Sequence, residues 1–134
     1  WKAIQVPKVN ILANVETFRS REGEVGYSTN GFLVIQDLLD RRQVVDKIMM
    51  FTDCQLWNSQ GNGINIASLW KSYKRLAPNA KLYLFDLAGY GNTPLKVDQD
   101  DVYLIAGWSD KIFHVLQAIE EGGSAVELIN AVPL

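Results

Sequence analysis

Two aspartates follow predicted strands, and they are the side chains best placed for acid–base or metal chemistry. Asp53 comes just after the apolar run 48–51, and Asp86 ends the run "KLYLFD". The turn Gly107-Trp108 occupies a similar place after "VYLI". An acid in such a position is a metal ligand, a base, or the cap of the turn that follows, and Asp caps such turns often enough to keep the last alternative open for both residues.

Other reactive side chains have weaker patterns around them. His114 lies in a predicted helix with no second His or Cys at ligand spacing, which favours a structural role. Cys54 has no His that the sequence places near it, so a small buried side chain is the safer interpretation. The basic cluster 71–75, "KSYKR", is more typical of a solvated helix face than of an RNA-binding patch. The glycine-rich "GNGIN" and "GYGNT" lack the spacing of phosphate-binding loops.

Length and composition predict one globular domain. The chain has 134 residues, 48% of them hydrophobic, and a formal charge of -2. This balance gives no general attraction to phosphate backbones, and no apolar run approaches the roughly 20 residues that cross a bilayer. A single cysteine is consistent with a reducing compartment, so we expect a cytoplasmic protein. Because the sequence starts at Trp1 without an initiator Met or a signal-like segment, we expect a fragment.

Hydrophobic periodicity predicts alternating helices and strands. The run 47–51 is continuously apolar, as expected for a parallel strand covered on both faces. The segment 124–134 is interpreted as a short helix or a packed tail. The predicted strands are 3–6, 47–51, 81–85 and 102–105, and the predicted helices are 10–19, 29–43, 64–76 and 109–120, with Ser28 or Thr29 capping the second helix.

This order predicts a three-layer α/β/α sandwich with a mainly parallel sheet. Right-handed crossovers place the carboxyl ends of all parallel strands at one edge, and ligands bind in the crevice beyond that edge. Asp53, Asp86 and the Gly107-Trp108 turn are therefore expected at the same edge.

Several segments also resemble a known family. In order and spacing, "FTDCQLW", "AKLYLFDLAGYGN" and "DQDDVYLIAGWSDKIFHVLQAI" resemble the carboxyl-terminal half of the Ro ribonucleoprotein family. In that family a TROVE ring of helical repeats is joined to a von Willebrand factor A-type domain. The resemblance covers most of residues 28–121 and implies a Rossmann-like von Willebrand factor A fold.

The resemblance implies a metal-ion-dependent adhesion site that holds a divalent cation, usually magnesium. Asp53 corresponds to the acid of the third loop, often acting through water, and Thr29 in "GYSTNG" to the threonine of the second loop. Asp86 corresponds to a position near the coordination shell but outside it. Magnesium prefers octahedral oxygen coordination and keeps waters, so one position stays open for the acidic group of a protein partner.

One part of the family's site is absent. No DxSxS segment occurs in the 134 residues, which removes three oxygen ligands and leaves open whether this chain alone binds the metal. The resemblance implies that the chain begins inside the second strand, at "WKAIQVPK", and that the first strand lies upstream. Because that strand would pair beside "KIMMF", we predict that another segment supplies it or that copies of the chain pair there.

Three functions remain in competition. The leading one is a non-catalytic, metal-dependent binding module of a Ro-like protein whose absent helical ring binds small non-coding RNA. The second is an A domain of another intracellular protein-interaction assembly without RNA. The third is a hydrolase-like enzyme that uses Asp53 and Asp86 as acid and base, although the sequence lacks a nucleophile elbow and a cofactor motif. We expect no membrane partner.

Overall fold

The computed structural model describes residues 2, 4–8, 10–25, 30–52, 65–89, 95, 101–107, 109 and 111–122. These residues contain four helices and three strands. In chain order they are α1 (Ile11–Arg19), α2 (Phe32–Asp40), β1 (Lys47–Thr52), α3 (Ile66–Leu76), β2 (Lys81–Asp86), β3 (Val102–Ala106) and α4 (Ile112–Glu120).

The strands form one parallel sheet in the order β1-β2-β3. Lys47 is the register partner of Lys81, and Leu82 is the partner of Val102. The prediction of a mixed α/β fold with a parallel sheet is therefore confirmed for the described part of the chain. None of the helices described there combines the length and the apolar character that crossing a membrane requires.

Helices α2 and α3 cover one side of the sheet, called here the α2/α3 face. Its core joins one side of each strand to the two helices, with Trp70 and Tyr73 of α3 almost completely buried. The main apolar members of this core are Ile35, Leu38, Ile48, Met50, Ile66, Leu69, Leu82, Leu84 and Val102.

Helix α4 covers the opposite side, called here the α4 face. Ile112 and Leu116 pack there against Tyr83 and Phe85 of β2. Tyr83 also stacks on Tyr103 of β3, with ring centroids 5.3 Å apart. Helices thus lie on both faces of the sheet, and the central strand β2 is buried on both.

Strand β1 differs from the sequence prediction. Its side chains alternate between exposed and buried, although its continuous apolar run predicts cover on both faces. Met49 is 44% exposed and Phe51 is 54% exposed. The physical reason is that the apolar residues of α4 pack over β2 and β3, whereas the contact given between α4 and β1 is the ion pair of Glu120 with Lys47 at the start of the strand.

Specific hydrogen bonds stabilise both ends of α3. Asn65 and Ser68 form a reciprocal capping box at its amino end, which satisfies backbone N–H groups that the first helical turn leaves without partners. Near the other end, the Tyr73 hydroxyl donates to the Gln43 carbonyl oxygen at 3.0 Å and accepts from the Val45 N–H at 2.9 Å. Tyr73 therefore ties α3 to the segment that leads into β1.

The amino-terminal region departs most from expectation. Residues 4–6 lie in no strand, and Ala3, the remaining residue of the predicted strand 3–6, is outside the described residues. Helix α1 is present, with Asn10 capping it, but Ile11 is 78% exposed and no residue of α1 is buried. The amphipathic pattern predicted the helix correctly; its apolar side packs on no other described helix or strand.

The remaining differences concern helix boundaries and residues outside the described part of the chain. Helix α2 begins at Phe32 after Gly31, which makes no side-chain cap. Its predicted capping residues, Ser28 and Thr29, lie outside the described part, as do Trp108 and the segment 124–134.

Candidate functional site at the carboxyl edge of the sheet

The carboxyl ends of the three strands lie side by side. Thr52, Asp86 and Ala106 end β1, β2 and β3, and Asp86 is the register partner of both Thr52 and Ala106. The backbone continues this alignment past the strands, because the Leu87 N–H donates to the Thr52 carbonyl oxygen at 2.8 Å. Similarly, the Gly107 N–H donates to the Asp86 carbonyl oxygen at 3.0 Å.

Two of the three predicted site residues lie outside the described part of the chain. These are Thr29 and Asp53. Their chain neighbours are described: Gly31 lies two residues after Thr29, and Thr52 lies directly before Asp53. Gly31 and Thr52 line the same cavity of about 240 Å³, which runs between α2 and β1. The remaining residues that line this cavity are Val34, Ile48, Met49, Met50 and Phe51.

Asp86 is placed clearly and is fully buried. Its Oδ1 accepts hydrogen bonds from the N–H of Ala88 at 3.1 Å and of Gly89 at 2.9 Å. This is the capping geometry of an Asx-type turn, and Gly89 takes the positive φ of 73° that suits glycine. The interpretation of Asp86 as a turn cap is therefore confirmed, and a role beside a metal shell stays a prediction.

The chemistry of the described residues alone limits what this edge can do. Among them, no group of three or more His, Cys, Asp or Glu side chains is arranged to hold a metal ion. Asp86 and the Thr52 hydroxyl supply oxygen atoms, the ligand type that magnesium prefers, but both side chains are buried. A cation at this edge would need ligands from outside the described residues, where the predicted ligands Thr29 and Asp53 lie.

The basic cluster 71–75 is partly structural. Lys71 and Arg75 are exposed, whereas Lys74 is half-buried and Tyr73 is fully buried. Lys74 Nζ donates to the Asp101 carboxylate at 2.6 Å and to the Ala80 carbonyl oxygen at 3.0 Å. The lysine thereby joins the end of α3 to the residue before β3, which explains its conformation without a nucleic acid.

The structure describes one of the two other reactive side chains. His114 is exposed on α4 and belongs to no potential metal-binding group among the described residues. Cys54 lies outside the described part.

Sequence reasoning missed Tyr83. Its ring is fully buried on the α4 face, and its hydroxyl has no hydrogen-bond partner among the described residues. Burial, followed by the nearby charge of Glu120, raises the pKa of Tyr83 to about 12. A tyrosine inside a buried strand offers no sequence signal for this, because its hydroxyl partner depends on tertiary packing.

Comparison of the chain with protein-family models, with curated proteins and with solved structures finds no match.

Proposed function

We propose that this chain is part of a von Willebrand factor A-type domain that serves as a metal-dependent binding module in a Ro-like protein. The cation would be magnesium, bound at the carboxyl edge of the sheet by Thr29 and Asp53 together with ligands that this chain does not contain. An acidic group of a protein partner would occupy the open coordination position.

One observation carries the proposal: Gly31 and Thr52 line the same cavity. Thr29 precedes Gly31 by two residues and Asp53 directly follows Thr52; with consecutive Cα atoms about 3.8 Å apart, these short chain connections support the assignment of both predicted ligands to this cavity. A threonine hydroxyl and a carboxylate form an oxygen-only pair suited to magnesium. The parallel sheet also agrees with the general location of ligands beyond the carboxyl ends of such strands.

The RNA part of the proposal concerns regions outside this chain. A helical ring would bind small non-coding RNA, and the A domain would recruit the protein partner. The net charge of -2 is consistent with assigning RNA contact to another region, since phosphate binding draws on basic side chains.

Asp86 gives a reason to prefer binding over catalysis. A general acid or base must reach the substrate proton within about 3 Å, directly or through one water. The Asp86 carboxylate is fully buried and accepts two backbone hydrogen bonds. This arrangement supports the turn rather than exposing the acid to a substrate.

Calorimetric titration of the full-length protein with magnesium chloride tests the proposal. We expect Thr29→Ala and Asp53→Ala each to weaken magnesium binding at least about tenfold, the loss that removing a direct or water-mediated oxygen ligand produces. Thr17→Ala and Asp40→Ala are matched controls: Thr17 hydrogen-bonds within α1, which contacts no other described helix or strand, and Asp40 lies at the end of α2 opposite to Gly31. Unchanged magnesium affinity in both site variants would refute the metal site.

A further inference from the structure

Asn30 and Gly31 form an Asn-Gly pair at the start of α2. In deamidation the backbone nitrogen of the following residue attacks the asparagine side chain, and glycine has no Cβ to hinder that approach. The structure describes five asparagines. The residues that follow the other four all carry a Cβ: Ile11, Val15, Ile66 and Ala80. Asn30 is thus the described asparagine with the least hindered neighbour.

The side chain of Asn30 is accessible. Hydrogen bonds hold the side chains of Asn10, Asn14 and Asn65 in place. The Asn30 side chain is exposed, and it forms no hydrogen bond with a described residue. Its carboxamide can therefore rotate toward Gly31 without breaking a bond in the part of the chain that the structure describes.

The backbone nitrogen of Gly31 is accessible for a different reason. Gly31 is the amino-terminal cap of α2, and N–H groups at the start of a helix have no carbonyl one turn earlier to bind. The Asn30 and Gly31 carbonyl oxygens accept from the N–H groups of Leu33 at 3.0 Å and Val34 at 3.3 Å. The Gly31 N–H itself donates to no described backbone carbonyl. Helix formation therefore leaves this nitrogen unused.

We propose that Asn30 is a modification site that deamidates spontaneously in the folded protein. The Gly31 nitrogen loses its proton to solvent and forms a bond to Asn30 Cγ, which closes a succinimide ring. The bond from Cγ to Nδ2 breaks, and the leaving nitrogen takes up protons and departs as ammonia. Water then adds to one of the two ring carbonyls and breaks its bond to the ring nitrogen. The product is aspartate or isoaspartate, depending on which carbonyl is attacked.

The product changes the charge at the start of α2. This helix has no acidic residue in its first turn and no side-chain cap. A carboxylate at residue 30 supplies a negative charge near the amino end, where the helix dipole favours one. Gly31 lines the cavity next to the proposed metal site, so the new charge also lies near that cavity. The reaction itself does not require a metal, and either proposal can fail alone.

Peptide mapping by mass spectrometry measures the reaction in the full-length protein. The folded protein is incubated for days at neutral pH in ¹⁸O-labelled water, so that conversion before digestion carries a solvent oxygen. We expect both the aspartate and the isoaspartate forms of the Asn30 peptide. Asn79, which is exposed but precedes Ala80, is the internal reference and should convert at least about tenfold more slowly. The map also separates Asn62-Gly63, an Asn-Gly pair outside the described residues.

The same measurement in urea shows whether the fold permits the reaction. Globally unfolded molecules make up at most about a thousandth of a stable protein. We therefore expect the rate at Asn30 in the folded protein to stay within about a thousandfold of the rate in the unfolded chain. A larger reduction would overturn the proposal, because the reaction would then occur only in unfolded molecules.

Gly31→Ala is the matched variant, since its φ of -57° is one that alanine also adopts. Circular dichroism checks that the variant folds. We expect conversion of Asn30 to slow at least about tenfold, because the added Cβ hinders the attacking nitrogen. An unchanged rate in Gly31→Ala, or a wild-type Asn30 that converts no faster than Asn79, would overturn the proposal.

Discussion

Thr52 and Asp86 are register partners at the carboxyl ends of adjacent parallel strands, and both side chains are buried. The sheet therefore places two oxygen-bearing side chains together at the edge where α/β proteins bind ligands. Asp86 stabilises the turn after β2, whereas Thr52 leads directly into Asp53. We therefore expect Asp86, the last residue of β2, and Asp53, the residue that follows β1 in the sequence, to serve different purposes.

Substitution of Asp86 tests its role as the cap of the turn after β2. Asp86→Ala removes the acceptor for two backbone N–H groups, and we expect it to lower the free energy of unfolding by about 2 kcal/mol. Asp86→Asn keeps a carbonyl oxygen and should cost less than about 1 kcal/mol. Urea denaturation of both variants measures the difference. An asparagine variant as unstable as the alanine variant would contradict the capping role.

Removal of the Tyr73 hydroxyl should destabilise the protein. That hydroxyl both donates to Gln43 and accepts from Val45, so Tyr73→Phe leaves two backbone groups without this partner. We expect a loss of about 1–3 kcal/mol in the free energy of unfolding, measured by thermal or urea denaturation. A Tyr73→Phe variant with wild-type stability would show that the bridge between α3 and the start of β1 is not needed.

Removal of the Tyr83 hydroxyl, in contrast to that of Tyr73, should not destabilise the protein. Its buried hydroxyl has no partner among the described residues, so its removal should leave the free energy of unfolding unchanged or raise it by about 1 kcal/mol. Loss of more than about 1 kcal/mol would mean that another part of the chain hydrogen-bonds this hydroxyl.

The raised pKa of Tyr83 predicts how the free energy of unfolding changes at alkaline pH. Burial raises its pKa to about 12 from an ordinary value of 10.0, so the folded state holds the proton more tightly than the unfolded state. This contribution to stability is fully present below pH 10, decreases as pH rises from about 10 to 12, and is lost above that range. Urea denaturation at several pH values should show a shallower decline for Tyr83→Phe than for the wild type. Identical pH profiles would contradict the assignment.

Lys74 should contribute more to stability than its neighbours in the basic cluster. Lys74→Met removes the contacts with Asp101 and the Ala80 carbonyl oxygen, and we expect a cost of about 1–2 kcal/mol in the free energy of unfolding. Lys71→Met is the matched control, since Lys71 is exposed on the same helix; it should change stability by less than about 0.5 kcal/mol. Equal effects of the two substitutions would refute the structural role of Lys74.

Local pattern sufficed to predict most elements of the fold. The apolar runs 47–51, 81–85 and 102–105 became β1, β2 and β3, because short apolar runs between polar residues favour buried strands. The predicted helices 64–76 and 109–120 likewise match α3 and α4 within three residues at each end, where helix boundaries are hardest to assign.

Tertiary placement was less predictable. The exposure of one face of β1 depends on how far α4 extends across the sheet. The sequence of residues 47–51 carries no information about the position of α4. The same holds for α1, whose apolar pattern predicts a helix but not what covers it. Asp86 could be expected at the carboxyl edge because strand ends align in a parallel sheet, whereas its two backbone partners depend on the path of residues 87–89.

Magnesium titration followed by NMR tests the central claim most directly. In the full-length protein labelled with ¹⁵N, we expect magnesium to shift the amide resonances of Gly31 and Thr52, which line one cavity. The resonances of Lys47 and Lys81, at the opposite ends of β1 and β2, should remain unchanged. Asp53→Ala should abolish the shifts of Gly31 and Thr52. Shifts that persist in Asp53→Ala, or a protein whose Gly31 and Thr52 resonances do not respond to magnesium, would contradict a metal site at this edge.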